Sequence, residues 1–150
     1  MRIAIGSDHA GFALKQVVAS HLNDLGFDVV DLGTPVAERC DYPDFAAAVG
    51  REVASGAAAL GVLVCGTGVG MSMAANKVPG VRAAVVSDTF SAHATRQHND
   101  CNVLCLGERV VGTGLACDLI DAWLGARFEG GRHADRVAKI DALLPTPQRR

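Results

Sequence analysis

Long apolar runs are missing from this sequence. None reaches the ~20 residues that a membrane-spanning helix needs. The start, Met1-Arg2-Ile3-Ala4-Ile5 leading straight into Gly6-Ser7-Asp8, is too short for the apolar region of a secretory signal. Basic runs are missing as well: 14 Lys and Arg stand against 16 Asp and Glu, for a net charge of −2. Without a basic stripe, neither a nucleic acid nor an anionic membrane is an expected partner. The five cysteines, Cys40, Cys65, Cys101, Cys105 and Cys117, are odd in number and follow no framework spacing. Free thiols in a reducing cytoplasm are therefore expected, all but Cys65 as buried small hydrophobes. No repeat, low-complexity tract or linker divides the chain, so one domain over 1–150 is expected, with 145–150 a loose tail.

What is present suits a compact α/β protein. Of the 150 residues 49% are apolar, 20% charged and 5% aromatic, and alanine, valine and glycine carry the apolar fraction. A chain of this length buries roughly 68–70% of its unfolded surface, enough for a core without staples. Eleven of the 14 bases are arginine, whose rigid fork matches phosphate and carboxylate.

Short apolar runs alternate with helical periodicity from end to end. Ile3 to Ile5 reads as a strand, and Leu14, Val18, Leu22 and Leu25 mark a helix that Gly26 closes. Phe27 to Leu32 is a second strand, followed by a proline-containing loop and a helix with Phe45, Val49 and Val53 inside. Leu60 to Val64, Val81 to Val86 and Val103 to Leu106 are further strands. Between the last two, Asp88 to His98 is helix-compatible but poorly apolar. Leu115, Leu119, Ile120, Trp123 and Leu124 line another helix, and Gly130-Gly131 precedes a last one carrying Val137, Ile140 and Leu144. Strands apolar on both faces, alternating with helices, predict a three-layer α/β/α sandwich. Its centre is a five-stranded parallel, Rossmann-like sheet, and it ends in a C-terminal helix. Ligands of such sheets bind outside the carboxyl ends of the strands. There the sequence places Asp8-His9, Asp31, Cys65-Gly66-Thr67, Ser87-Asp88 and Gly107-Glu108-Arg109.

The sharpest motif is Cys65-Gly66-Thr67-Gly68-Val69-Gly70, a glycine loop between strand and helix whose amides can converge on an anion. Three familiar uses fail at one residue. Met71 replaces the lysine of a phosphate-binding Walker loop, the third glycine of a dinucleotide fingerprint, and the arginine of a cysteine-dependent phosphatase loop. Asp88, roughly 20 residues on, keeps a nucleotide reading open as a ribose-binding acid. What remains is a thiol against a nest of amides, suited to act as base or nucleophile. His98 and Asn99 end the poorly apolar helix. His93, His98 and Cys101 match no standard zinc spacing, so no metal is expected. Arg132 and Arg136 share a helix face. With His133 between them they form either a phosphate clamp or a solvated face balanced by Asp135. His21 is read as a surface residue.

Taken together, Gly6-Ser7-Asp8-His9-Ala10-Gly11, Asp41-Tyr42-Pro43, the Cys65–Gly70 loop, Ala74-Ala75-Asn76-Lys77, Arg96-Gln97-His98-Asn99 and Gly130-Gly131-Arg132-His133 with Arg136-Val137 resemble the ribose-5-phosphate isomerase B family. That family also contains galactose-6-phosphate isomerase subunits. The resemblance implies aldose–ketose isomerisation of a sugar phosphate without metal or cofactor. It implies Cys65 as the base that moves a proton between C2 and C1, with Thr67 beside it, and His98 as the acid that opens the furanose ring. It implies substrate contacts from Asp8, His9, Tyr42, Gly66, Thr67, Gly68, Val69, Gly70, Asn99, Arg109, Arg132 and Arg136. It further implies a homodimer or homotetramer whose site is shared between subunits. One branch of the family carries a glutamate base after the last loop glycine; Cys65 and Met71 place this chain with the cysteine branch. Ribose 5-phosphate is the expected substrate. The alternatives are a four- or six-carbon sugar phosphate, of the galactose 6-phosphate or allose 6-phosphate type, and a non-catalytic domain that binds NAD.

Overall fold

The computed structural model describes residues 1–143. Leu144 and the tail at 145–150 lie outside the described residues. Five strands, β1 (Arg2–Ser7), β2 (Asp28–Asp31), β3 (Leu60–Cys65), β4 (Ala83–Val85) and β5 (Val103–Gly107), form one sheet in the order β2-β1-β3-β5-β4. Every pairing is parallel, with Ile5 opposite Val62 and Leu63 opposite Cys105. Six helices connect and cover it: α1 (Phe12–Asp24), α2 (Tyr42–Ala54), α3 (Val69–Ala75), α4 (Thr89–Asn99), α5 (Thr113–Gly125) and α6 (Arg132–Asp141). This is the expected three-layer α/β/α sandwich.

Side chains alternate across the three central strands and so feed two cores. Ile3, Ile5, Val62, Val64, Leu104 and Leu106 pack with Val18 and Leu22 of α1, Ala92 of α4 and Leu119, Ile120 and Trp123 of α5. Ala4, Leu63, Cys65, Val103 and Cys105 face Val49 of α2 and Met71 of α3. Each fully buried aliphatic side chain contributes roughly 1.5–3 kcal/mol. Trp123, fully buried, donates its indole N–H to the Cys101 carbonyl at 3.2 Å, so no polar atom of the ring is stranded.

Only β1, β3 and β5 are apolar on both faces; β2 and β4 are half-exposed. The reason is position: both are edge strands, which lack a neighbour on one side. β4 is also shorter than the Val81–Val86 run. The Arg82 N–H donates to the Asn102 side chain at 2.8 Å, and the Asn76 amide brackets Ala83. These side chains take over the backbone pairing that a longer strand would make. Cys40 and Cys117 depart from expectation too, being half-exposed. Cys40 lies in the loop before α2, and Cys117 falls off the inward stripe of α5. Leu25, Leu115 and Ile140 are exposed at helix ends or edges. His21 is the surface residue expected, paired with Asp121 of α5 at 2.7 Å.

One buried charge shapes the sheet edge nearest the site. Lys15 of α1 is fully buried, with Nζ 2.7 Å from Asp31 and 3.0 Å from the Thr34 carbonyl. The loop after β2 folds over it, and the pair and the carbonyl together satisfy a charge that could not otherwise stay inside.

Candidate active site

The chain leaves β1 in one direction to reach β2, and β3 lies on its other side. The carboxyl ends of β1 and β3 therefore flank a switch point, where parallel sheets open a crevice. A cleft of about 510 Å³ lies there, lined by Asp8, His9, Tyr42, Cys65, Gly66, Thr67, Val69, Gly70 and Arg109 of the anticipated positions. Ala10 and Met73 line it as well. Asp8, nearly buried, accepts the N–H groups of Ala10 and Gly11 at 3.0 and 3.1 Å, which caps a short 3₁₀ turn and presents His9. The Cys40 N–H donates to His9 Nδ1 at 3.3 Å. An amide can only donate, so in the neutral ring Nε2 carries the proton and is left as a donor.

Cys65 ends β3 with only 5% of its surface exposed, and its Sγ accepts the Gly68 N–H at 3.1 Å. A hydrogen bond of this kind strengthens when its acceptor is charged. Gly68 reaches the sulfur because its backbone is left-handed, φ +80°, a conformation open to glycine and costly for other residues. Thr67 is exposed; its Oγ1 accepts the Val69 N–H at 3.3 Å, which leaves the hydroxyl hydrogen free to donate into the cleft. Tyr42 packs over Gly70, and the Arg109 guanidinium lies over Gly66. The loop after β5 is laced to the cysteine loop: the Glu108 N–H donates to the Cys65 carbonyl at 2.9 Å and the Arg109 N–H to that of Gly66 at 3.0 Å. The Glu108 carboxylate accepts the Leu14 N–H at 2.9 Å and ties the same loop to α1.

Two strand-end acids work elsewhere. Asp31 holds Lys15, as above. Asp88 caps α4 by accepting the Ser91 N–H at 2.7 Å, and that hydrogen bond holds its carboxyl below the usual range. Its role as a helix cap accounts for the carboxylate that the nucleotide reading assigned to a ribose.

The other anticipated residues sit apart from the cleft. His98 and Asn99 end α4, and Arg132 and Arg136 project from α6; none of the four lines the cleft. Asn99 borders a second cavity of about 490 Å³ with Arg82, Thr95 and Asp141. Arg132 and Arg136 are exposed, and among the described residues neither has a carboxylate at salt-bridge distance. The expected balance with Asp135 is not made. The His98 ring stacks on His133, centroids 4.5 Å apart and planes 12° from parallel. His93 is not part of this cluster, and the Cys101 thiol is buried and bonded to the Val103 carbonyl. Ligand atoms of His98, Glu129 and His133 lie within 4.8 Å of one another. Stacked rings, however, direct their lone pairs along near-parallel planes, which does not suit a shared ion.

A profile of the family described as ribose/galactose isomerase matches residues 3–140. This chain belongs to the ribose/galactose isomerase family. It is 54% identical over 142 residues to the ribose-5-phosphate isomerase B of Escherichia coli K12, covering 95% of each chain. The ribose-5-phosphate isomerase B of Clostridium thermocellum superimposes with a TM-score of 0.94 at 53% identity, over 95% of this chain and 97% of that one. That of Mycoplasma genitalium, solved with bound ribulose 5-phosphate, gives 0.91 at 46%, over 95% of each.

In this ribose/galactose isomerase, two features escaped the sequence reading. Met73 reaches the cleft from α3, one turn beyond Val69, a periodicity that could have flagged it. The His98–His133 stack could not have been found that way, because its two rings lie 35 positions apart along the chain, on different helices.

Proposed function

We propose that the chain interconverts ribose 5-phosphate and ribulose 5-phosphate. The observation that carries this is the Cys65 sulfur at the cleft, with the Gly68 amide donating to it at 3.1 Å. The Cys65 thiolate takes the proton from C2 of the open-chain aldose. The freed electron pair forms the C1–C2 double bond, and the aldehyde oxygen becomes the enediolate oxyanion. Thr67 and the loop amides stabilise that charge. The O2 hydroxyl passes its proton to the O1 oxyanion, and the thiol returns to C1 the proton it took from C2 as the C2 carbonyl forms. His98 opens the furanose ring by protonating the ring oxygen as the bond from that oxygen to C1 breaks and the anomeric hydroxyl releases its proton to solvent, and Arg132, Arg136 and His9 hold the phosphate away from the reacting carbons.

The proton-moving half and the ring-opening half sit apart on one protomer, so a second copy completes the site. Its support is the exposed apolar surface on and near α3, β4 and α4: Met73 is 64% exposed, Phe90 80% and Val85 41%. A surface of this kind is a natural place for a symmetric partner. No helix among the described residues is long and apolar enough to cross a membrane. We place the enzyme in the cytoplasm, acting on a small phosphorylated sugar and on neither nucleic acid nor membrane.

A coupled isomerase assay over four-, five- and six-carbon sugar phosphates, with and without EDTA, tests this. Ribose 5-phosphate should give the highest kcat/KM and chelation should leave it unchanged, since the chain itself supplies base and donors. Preference for another chain length overturns the substrate, and loss of activity with EDTA restored by a divalent ion overturns the metal-free route.

A further inference from the structure

We propose that His133 is the positioning residue of His98, and that the two stacked imidazoles form one acid–base unit carrying a single proton. The functional meaning rests on the reading of His98 as ring-opening acid; the geometry does not. His98 lies in the last turn of α4 and His133 in the first turn of α6. The segment between α5 and α6 is pinned to α4 by the Glu129 N–H, which donates to the Gln97 carbonyl at 3.0 Å. Gly130 and Gly131 follow, both left-handed with φ +65° and +54°, and turn the chain into α6 so that His133 meets His98 face to face. His133 is buried, and the ring above it is thereby held in one orientation.

The surrounding charges decide where a proton goes. From α6, Arg132 and Arg136 add positive charge beside the pair. From the preceding segment, the Glu129 carboxylate stands 3.7 Å from His133 Nε2. On α4 Arg96 and Asp100 are paired with each other, and on α5 Asp121 is held by His21. Burial first, then the charge of His98 and that of Arg132, hold His133 below the usual histidine range, with Glu129 opposing and Arg136 adding. Two imidazolium rings at this separation repel strongly, so the pair accepts one proton and resists a second. His133 is disfavoured as the carrier of that proton and supplies a neutral, rigid face beneath His98.

The test uses the full-length enzyme and the variants His133→Gln and His133→Phe. Imidazole nitrogen NMR across a pH titration should show His133 neutral at every pH where the pair holds one proton. His133→Gln, which removes the ring face, should lower kcat on ribose 5-phosphate by about 10- to 100-fold with KM little changed, as misplacement of a reacting group does, and should displace the acid limb of the pH profile. His133→Phe, which keeps a flat face, should retain most of kcat. Protonation of His133 together with or before His98 overturns the proposal. So does an unchanged kcat and pH profile in His133→Gln, or a loss in His133→Phe as deep as in His133→Gln. If the wild type fails to turn over ribose 5-phosphate, the isomerase reading fails while the NMR titration still decides the shared proton.

Discussion

Replacing Gly68 with alanine strikes the fold and the chemistry through one atom. The residue sits at φ +80°, where a Cβ costs about 1–2 kcal/mol by clash with its own backbone. The added carbon would also lie 2.7 Å from a Val85 methyl and 3.0 Å from the Leu106 carbonyl carbon. Val85 is on an edge strand and can turn away. Leu106 is backbone of a central strand and cannot, so overpacking adds about 1–3 kcal/mol. The expected loss is about 2–5 kcal/mol, or a drop in Tm of roughly 4–20 °C at 2–4 °C per kcal/mol for a chain of this size. Relief of the clash requires the loop to shift, and the Gly68 N–H then leaves the Cys65 sulfur. A hydrogen bond to a charged acceptor is worth about 1.5–3 kcal/mol. At 1.4 kcal/mol per decade, kcat should fall about 10- to 100-fold. Urea unfolding and steady-state kinetics on the same preparation measure both. Gly114→Ala is the control: it lies in the exposed first turn of α5 with open space at its Cβ position, and alanine there should stabilise by about 0.5–1 kcal/mol. If Gly68→Ala unfolds within about 0.5 kcal/mol of wild type, an ordinary surface-substitution effect, the strain argument fails. If its kcat is unchanged, the amide is not aimed at a reacting sulfur.

Three further outcomes are expected. Cys65→Ala and His98→Asn should each be inactive alone, and mixing them by denaturation and renaturation should restore about a quarter of wild-type activity, because half of the molecules of the proposed dimer then carry one intact site; no recovery would mean that each protomer completes its own. Burial pushes the Cys105 thiol well above its ordinary value of 9.0 and raises Cys101 also. The unfolded chain releases these protons first, so the stability they contribute is complete below pH 9 and is lost as pH rises above it, by up to about 1.4 kcal/mol per pH unit for each thiol. Urea midpoints of wild type and Cys105→Ala at rising pH check the slope, which should be shallower in the variant. Ser7 Oγ is fully buried without a hydrogen-bond partner among the described residues, so Ser7→Ala should be neutral or stabilising by about 1 kcal/mol; a loss beyond that in thermal unfolding would reveal a bond the structure does not contain.

The legible parts of the fold were those whose signals are local. Leu60–Cys65 reads as a buried strand because six consecutive residues are enclosed on both faces. The Cys65–Gly70 loop announces itself through three glycines, one of which does take the left-handed turn. Strand order was not legible: nothing near Val103 states that β5 inserts between β3 and β4, since that pairing is settled by packing across the sheet. Lys15 went unread for the same reason. Its burial depends on Asp31 at the end of β2 and Thr34 in the loop after it, 16 and 19 positions away. The candidate site residues could be named one by one, but their division between the cleft and the α4–α6 corner is a property of the folded protomer. Arg132 and Arg136 illustrate it: spacing alone allowed a face balanced by Asp135, and among the described residues no carboxylate stands at salt-bridge distance from either.

The group that meets the Cys65 sulfur is a main-chain amide, that of Gly68, while Tyr42, Val69 and Met73 line the cleft with their side chains exposed at its mouth. Mutation cannot easily alter an amide, but it can exchange any of those three mouth residues without touching the contact between the Gly68 amide and the Cys65 sulfur. The doorway can therefore be resized, side chain by side chain, while the loop behind it stays unchanged.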